Sequence, residues 1–152
     1  AFGCRVLAYS RTAKQELVDA GVQYVSLDEL LAQSDFVSLH VPLTDATRGL
    51  INAAAIAKMK QGAVLLNTAR GPVVDSEALA EALNAGKMAG AGIDVFEGEP
   101  PIAKDHPLCS AKNTVLTPHV AFASREALET RADIVFANIE KWLAGAPQNI
   151  VK

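Results

Sequence analysis

Ala63-Val64-Leu65-Leu66-Asn67-Thr68-Ala69-Arg70-Gly71 carries the pattern from which the fold can be read. Ala63 to Leu66 is a short apolar run that starts after Gly62, and such a run between turn signals reads as a buried strand. The polar residues after it leave Arg70 just past the strand's C-terminus. The arrangement recurs downstream: Ala89 to Ile93 leads into Asp94-Val95-Phe96-Glu97-Gly98-Glu99-Pro100, and Thr114 to Leu116 leads into Thr117-Pro118-His119. Short apolar runs alternating with helix-length amphipathic segments predict an α/β fold with a parallel sheet. In an open parallel sheet the strand C-termini face one crevice where ligands bind, so Arg70, Glu99 and His119 are expected to converge there.

Working outward, Arg5 to Tyr9 and Gln23 to Val25 read as strands. Thr12 with Gln15 and Ser26 with Glu29 have capping-box spacing, which predicts helices to about Ala20, where Gly21 stops the chain, and over Leu27 to Gln33. Phe36 to Val41 reads as a strand ended by Pro42, followed by helical pieces over Thr44 to Leu50 and Ala53 to Met59. The Leu79, Ala82, Leu83 spacing predicts a helix from Ser76 to Gly86, then a strand over Ala89 to Val95 and an irregular loop through Pro107. The last helix, about Ser124 to Leu143, carries Leu128, Ala132, Val135, Ile139 and Leu143 on one face. No repeat, low-complexity stretch or internal domain boundary is expected.

The chain has 152 residues, half of them apolar, enough for one core. Its net charge is −3, from 14 basic and 17 acidic residues, and no cationic stripe is present, which argues against a nucleic-acid partner. Uncharged stretches fall short of the roughly 20 apolar residues a membrane span needs, and the N-terminus lacks a basic, then hydrophobic, leader pattern. A soluble, cytoplasmic protein is expected. Cys4 and Cys109 are too few for a disulfide framework, and His40, His106 and His119 lack metal-ligand spacing, so no metal is expected. The opening Ala1-Phe2-Gly3-Cys4, without an initiator methionine, reads as the interior of a longer protein.

The chemistry suggested by these residues is that of a small organic anion. Arginine offers a planar fork of donors that fits a carboxylate, so Arg70 suits such a ligand, with a structural ion pair as the alternative. His119 is the type of side chain that exchanges protons near neutrality, although a lone histidine is more often a hydrogen-bonded structural residue. A carboxylate beside it would favour and orient the imidazolium. Glu99 and Glu97 both stand on the preceding loop, and spacing does not choose between them. Asp94 could accept from an amide or ribose or cap the following turn, and Pro42 and Thr47 could serve only to shape a loop.

Three collinear motifs carry a family resemblance: Ser34-Asp35-Phe36-Val37-Ser38-Leu39-His40-Val41-Pro42-Leu43-Thr44, Leu65 to Gly71, and Gly92-Ile93-Asp94-Val95-Phe96-Glu97-Gly98-Glu99-Pro100. From about Phe2 to Val151 the chain resembles the nucleotide-binding domain of the D-isomer-specific 2-hydroxyacid dehydrogenases. That implies a Rossmann-like, doubly wound parallel sheet and an oxidoreductase acting between a nicotinamide cofactor and a 2-keto or D-2-hydroxy acid. Arg70 then corresponds to the substrate-carboxylate clamp, Glu99 to the acid paired with histidine, and His119 to the proton donor and acceptor. Val41, Pro42, Thr47, Thr68, Ala69, Arg70, Asp94, His119 and Ala121 correspond to positions around the cofactor, Asp94 at its nicotinamide end. Relatives commonly form homodimers through this domain, so a homodimer is expected.

The resemblance also marks departures. The family's Gly-rich phosphate loop and first strand are not in this sequence, so residues 1–152 are read as a partial dinucleotide-binding domain, with the first βα unit and the substrate domain outside the chain. The missing strand is central in the usual order, so a split sheet is expected, and the isolated chain is expected to be inactive and incompletely stable. NAD-preferring relatives usually carry an acidic residue where this chain has Ser10, followed by Arg11 and Thr12. Arg11 could pair with a 2′-phosphate or lie over adenine, which leaves NADP or NAD open with NADP slightly favoured. Phe122 stands where relatives commonly carry a small residue. A dinucleotide-sensing, corepressor-like module is the competing reading; a phosphate-accepting receiver domain is remote, because no acidic cluster ends the first strand.

Overall fold

The computed structural model describes residues 3–151. It divides into two compact units, Ala1–Pro118 and His119–Lys152, which corrects the expectation of no internal boundary. The physical reason lies in the core: its buried apolar side chains run from Leu31 to Leu108, whereas the last helix contributes none. Among the described residues no helix is long and apolar enough to cross a membrane.

The first unit runs β1 (Leu7–Ala8), α1 (Gln15–Asp19), β2 (Gln23–Tyr24), α2 (Leu27–Gln33), β3 (Phe36–Leu39), α3 (Ala53–Lys58) and β4 (Ala63–Asn67). It continues with a 3-10 turn (Gly71–Val73), α4 (Ser76–Asn84), β5 (Met88–Ile93), α5 (Pro107–Ser110) and β6 (Thr114–Leu116). The strands form the expected parallel α/β arrangement, split in two: β1 pairs with β2, and β3, β4, β5 and β6 lie side by side in chain order. β4 is flanked on both sides, and its Ala63, Leu65 and Asn67 are buried. Residues of β1 and β3 face one another across a cleft of about 300 Å³ whose lining includes Leu7, Tyr9, Leu30, Val37, Leu39 and Ile51.

Local sequence explains most boundaries. α2 has the expected capping box: Ser26 Oγ accepts from the Glu29 amide, and the Glu29 carboxylate accepts from the Ser26 N–H at 3.0 Å. The Ser26 hydroxyl, and then its N–H, hold the Glu29 carboxyl below its ordinary value of 4.5. A carboxyl with a depressed folded value stabilises above its unfolded value and loses that contribution as pH falls through the folded one. The difference in urea midpoint between wild type and Glu29→Gln should therefore shrink on going from pH 7 to below about pH 4. α4 ends with Ala85 at the cap and Gly86 beyond it at φ 74°, a left-handed position suited to glycine.

Other expectations are corrected. Thr12 caps nothing: α1 starts at Gln15, with Lys14 as an uncapped boundary, and the Ser10 hydroxyl donates to the Thr12 carbonyl at 2.7 Å, which makes this stretch a turn. Residues 44–50 form turns rather than a helix, because the Thr47 hydroxyl accepts from the Thr44 N–H at 2.8 Å and donates to the Pro42 carbonyl at 2.6 Å. Hydroxyls that bond nearby backbone in this way compete with the helical ladder. β3 stops at Leu39, short of Val41, and β5 ends at Ile93, where the apolar run Ala89 to Ile93 ends, rather than at Val95. The loop through Pro107 leads into α5, whose first residue is that proline, a position where its missing N–H costs nothing.

The second unit contains α6 (Arg125–Leu143), capped by Ser124, whose side chain accepts from the Ala127 amide at 3.1 Å. Leu128, Val135, Ile139 and Leu143 on its apolar face are all exposed.

Candidate active site

The exit of β4 is organised by Asn67, which is 1% exposed. Its Oδ1 accepts from the Ala69 N–H and its Nδ2 donates to the Arg70 carbonyl, both at 3.0 Å. The amide thus holds the three residues after it in a tight turn and fixes where Arg70 leaves the sheet. The Arg70 guanidinium is exposed and donates through Nη1 to the Ala69 carbonyl at 2.6 Å. Among the described residues it forms no ion pair.

Gly71 couples this turn to the next strand's exit. A Cβ at position 71 would run into the Phe96 carbonyl and come within 2.6 Å of the Glu97 nitrogen, so the two loops meet backbone to backbone. Gly71→Ala should therefore cost about 1–3 kcal/mol, the usual range for overpacking, read as a lowered denaturant midpoint.

At the exit of β5, Asp94 is 3% exposed and accepts from the Thr117 hydroxyl at 2.5 Å. The Asp94 N–H donates to the Asn67 carbonyl and the Thr117 N–H to the Ile93 carbonyl, both at 3.0 Å, so the exits of β4, β5 and β6 are stitched in sequence. Half-buried Glu99 accepts from the Phe96 N–H, which bends its loop back on itself. Glu97 turns elsewhere: its two oxygens lie 3.0 and 2.9 Å from the Ser76 hydroxyl, and Oε2 lies 3.2 Å from His106 Nε2. The two glutamates, equivalent by spacing, thus differ in surroundings.

His119 opens the second unit. It is exposed and adopts φ 56°, a left-handed conformation that non-glycine residues take at a cost of roughly 1–3 kcal/mol and that clusters at functional sites. Ala121 is exposed nearby in sequence, and the Arg131 guanidinium lies over the Phe122 ring at 5.5 Å.

The other candidate positions fall into two groups. Ser10 and Val41 both line the cleft between β1 and β3, at the strands' C-terminal ends, with Arg11 and Thr12 exposed next to Ser10. Pro42 and Thr47 are joined by the hydrogen bond that shapes their loop, while exposed Thr68 and buried Ala69 belong to the Asn67 turn. Sequence reading assigned no role to Asn67, Thr117, Ser76 or His106. An Asn that ends a strand four residues before a glycine is a turn signal that could have marked Asn67; nothing local marks the other three.

The model for the D-isomer specific 2-hydroxyacid dehydrogenase NAD binding domain matches residues 1–121. The chain belongs to this family. It is 46% identical over 151 residues to a hydroxypyruvate reductase of Blautia hydrogenotrophica, covering 99% of this chain and 47% of that protein. A glyoxylate reductase of Korarchaeum cryptofilum is 47% identical over 152 residues, covering 99% of this chain and 46% of the relative. Among solved structures, D-lactate dehydrogenase from Aquifex aeolicus, complexed with NAD and lactic acid, matches with a TM-score of 0.85 and 38% identity over 95% of this chain and 48% of that one. The family fold expected from the motifs is therefore the one observed, and the chain spans about half the length of the relatives it matches.

Proposed function

We propose that this chain is the coenzyme-binding part of an oxidoreductase that transfers a hydride between a nicotinamide cofactor and a 2-keto or D-2-hydroxy acid. The observation that carries the reading is the stitching of three parallel strand exits, which brings the Arg70 turn against the loop of Asp94 and Glu99 in a chain of this family.

The donor set fits a dinucleotide. Ser10 and Val41 border a cleft at strand C-terminal ends, Arg11 offers a cation to a phosphate, and Asp94 offers a buried acceptor beyond β5. Thr68 and Ala69 complete the rim of the Asn67 turn. A bound nicotinamide supplies the hydride chemistry; the protein supplies position and charge. Arg70 binds the substrate carboxylate through its fork, which aims the keto carbon. His119 gives a proton to the keto oxygen in reduction and removes one from the hydroxyl in oxidation, and Glu99 favours and orients the imidazolium that does so.

In this reading the chain belongs to a larger cytoplasmic enzyme, assembled as a homodimer, that also contains a substrate domain and a first βα unit. The β1 and β3 edges, each open toward the cleft between them, are where that unit's strand would pair. The coenzyme is NADPH: a serine at position 10 leaves a 2′-phosphate unrepelled, and Arg11 pairs with it. Arg11→Ala should lower kcat/KM for NADPH about tenfold, the modest effect of an exposed charge pair, and leave that for NADH unchanged.

The test is oxidation of NADPH and NADH by the full-length protein with glyoxylate, hydroxypyruvate or pyruvate. Turnover of any of these supports the reading. Tight dinucleotide binding with no turnover would overturn it in favour of a sensing module.

A further inference from the structure

Glu97 lies two residues from Glu99, and no role in the proposed chemistry falls to it. Its carboxylate is nonetheless the meeting point of three elements. The Ser76 hydroxyl, on a residue only 8% exposed at the first position of α4, donates to it. His106, the N-cap residue of α5 with a side chain 9% exposed, reaches it through Nε2. The His106 ring also stands edge-on to Phe96 at 5.4 Å, so the residue before Glu97 in the chain is held as well.

The proton on His106 can be placed by elimination. Nδ1 accepts from the Leu108 N–H at 3.3 Å, so the neutral ring carries its hydrogen on Nε2 and donates it to Glu97. The carboxylate therefore receives two directed donors, one from each side of the loop, and it sits at the N-terminal end of α4, where a negative charge is stabilised. Both donors come from residues that are themselves fixed by helix starts. The loop between β5 and α5 is thus pinned at Glu97, while the backbone of the same stretch abuts Gly71.

We infer that Glu97 is a positioning residue, whose ties to Ser76 and His106 hold the β5–α5 loop so that Glu99 and the adjoining Arg70 turn keep a productive geometry. The inference rests on the functional reading above and adds that the two glutamates divide their work. Glu99 must be a carboxylate, because its charge acts on the imidazole. Glu97 needs only acceptor geometry toward His106 and a partner for Ser76. A glutamine at position 97 meets both demands, since its carbonyl oxygen accepts from His106 and its amide nitrogen donates to the Ser76 oxygen.

The experiment compares Glu97→Gln, Glu97→Ala and Glu99→Gln in the full-length enzyme. Glu97→Gln should retain kcat within roughly threefold of wild type, because it keeps the hydrogen bonds. Glu97→Ala should lose about 10²-fold in kcat, as loosening of a catalytic geometry by about 1 Å does, with KM for the coenzyme unchanged. Glu99→Gln should lose about 10²-fold or more. Nitrogen NMR of His106 should show a protonated Nε2 and a bare Nδ1 in wild type, Glu97→Gln and Glu97→Ala alike, because the Leu108 N–H fixes the tautomer in all three, with the Nε2–H signal shifted and in faster solvent exchange in Glu97→Ala, where its acceptor is gone. A Glu97→Gln variant that folds and is as impaired as Glu99→Gln would overturn the inference, as would a Glu97→Ala variant with wild-type kcat or a wild-type His106 protonated on Nδ1. A wild-type enzyme without turnover would instead overturn the functional reading, and the NMR signature would then show by itself whether the tie exists.

Discussion

In the full-length enzyme, His119→Asn is expected to lower kcat by about 10²–10⁴-fold, the usual contribution of a positioned general acid–base group. Asparagine is the informative replacement because position 119 sits at φ 56°, which Asn tolerates and most side chains do not. A loss of activity in this variant then reports the missing imidazole rather than a distorted backbone. Dinucleotide affinity, measured by quenching of intrinsic fluorescence, should change far less than kcat, because the coenzyme's other partners are retained. Solvent-exchange effects on kcat should disappear with the ring. A His119→Asn enzyme that retains wild-type turnover would remove the proton-transfer role and leave the left-handed histidine as a turn residue.

The second large effect is expected at Arg70. Two charge-assisted hydrogen bonds at about 1.5–3 kcal/mol each, discounted for exposure, leave about 3 kcal/mol of substrate binding, or roughly a hundredfold in kcat/KM. Arg70→Met should lose this mainly through a raised KM for the keto acid. Arg70→Lys should recover only part of it, because an ammonium supplies charge without the planar fork. Stability should change little in either variant: among the described residues this guanidinium joins no ion pair, and it donates to the neighbouring Ala69 carbonyl. Equal thermal midpoints for Arg70→Met and wild type, with unequal KM, are the expected pairing. An unchanged KM would show that the carboxylate is held elsewhere.

Much of this molecule was legible in its sequence wherever the deciding interactions are local. The Ser26–Glu29 box, the glycine after α4 and the apolar runs that become β4, β5 and β6 are each set by residues within one turn or one strand of each other. Thr12 and the segment 44–50 show where such signals fail, because in both places a hydroxyl bonds a nearby carbonyl instead of supporting a helix. The residues of the proposed site were legible by type and order, since each follows a strand and carries a group with few alternative uses.

By itself the sequence determined the α/β class, the strand exits that bear Arg70, Asp94 and Glu99, and the family. The split of the sheet between β1 and β3 was expected from the strand missing in the family order, whereas only the tertiary structure separated Glu97 from Glu99 and placed the boundary at Pro118. The reason is range: a helix cap or a strand pattern is decided by residues a few positions apart, whereas Glu97 is fixed by Ser76, 21 residues upstream, and by a histidine nine residues downstream. Hydrogen-bond donors brought together by packing leave no mark in the spacing of a loop.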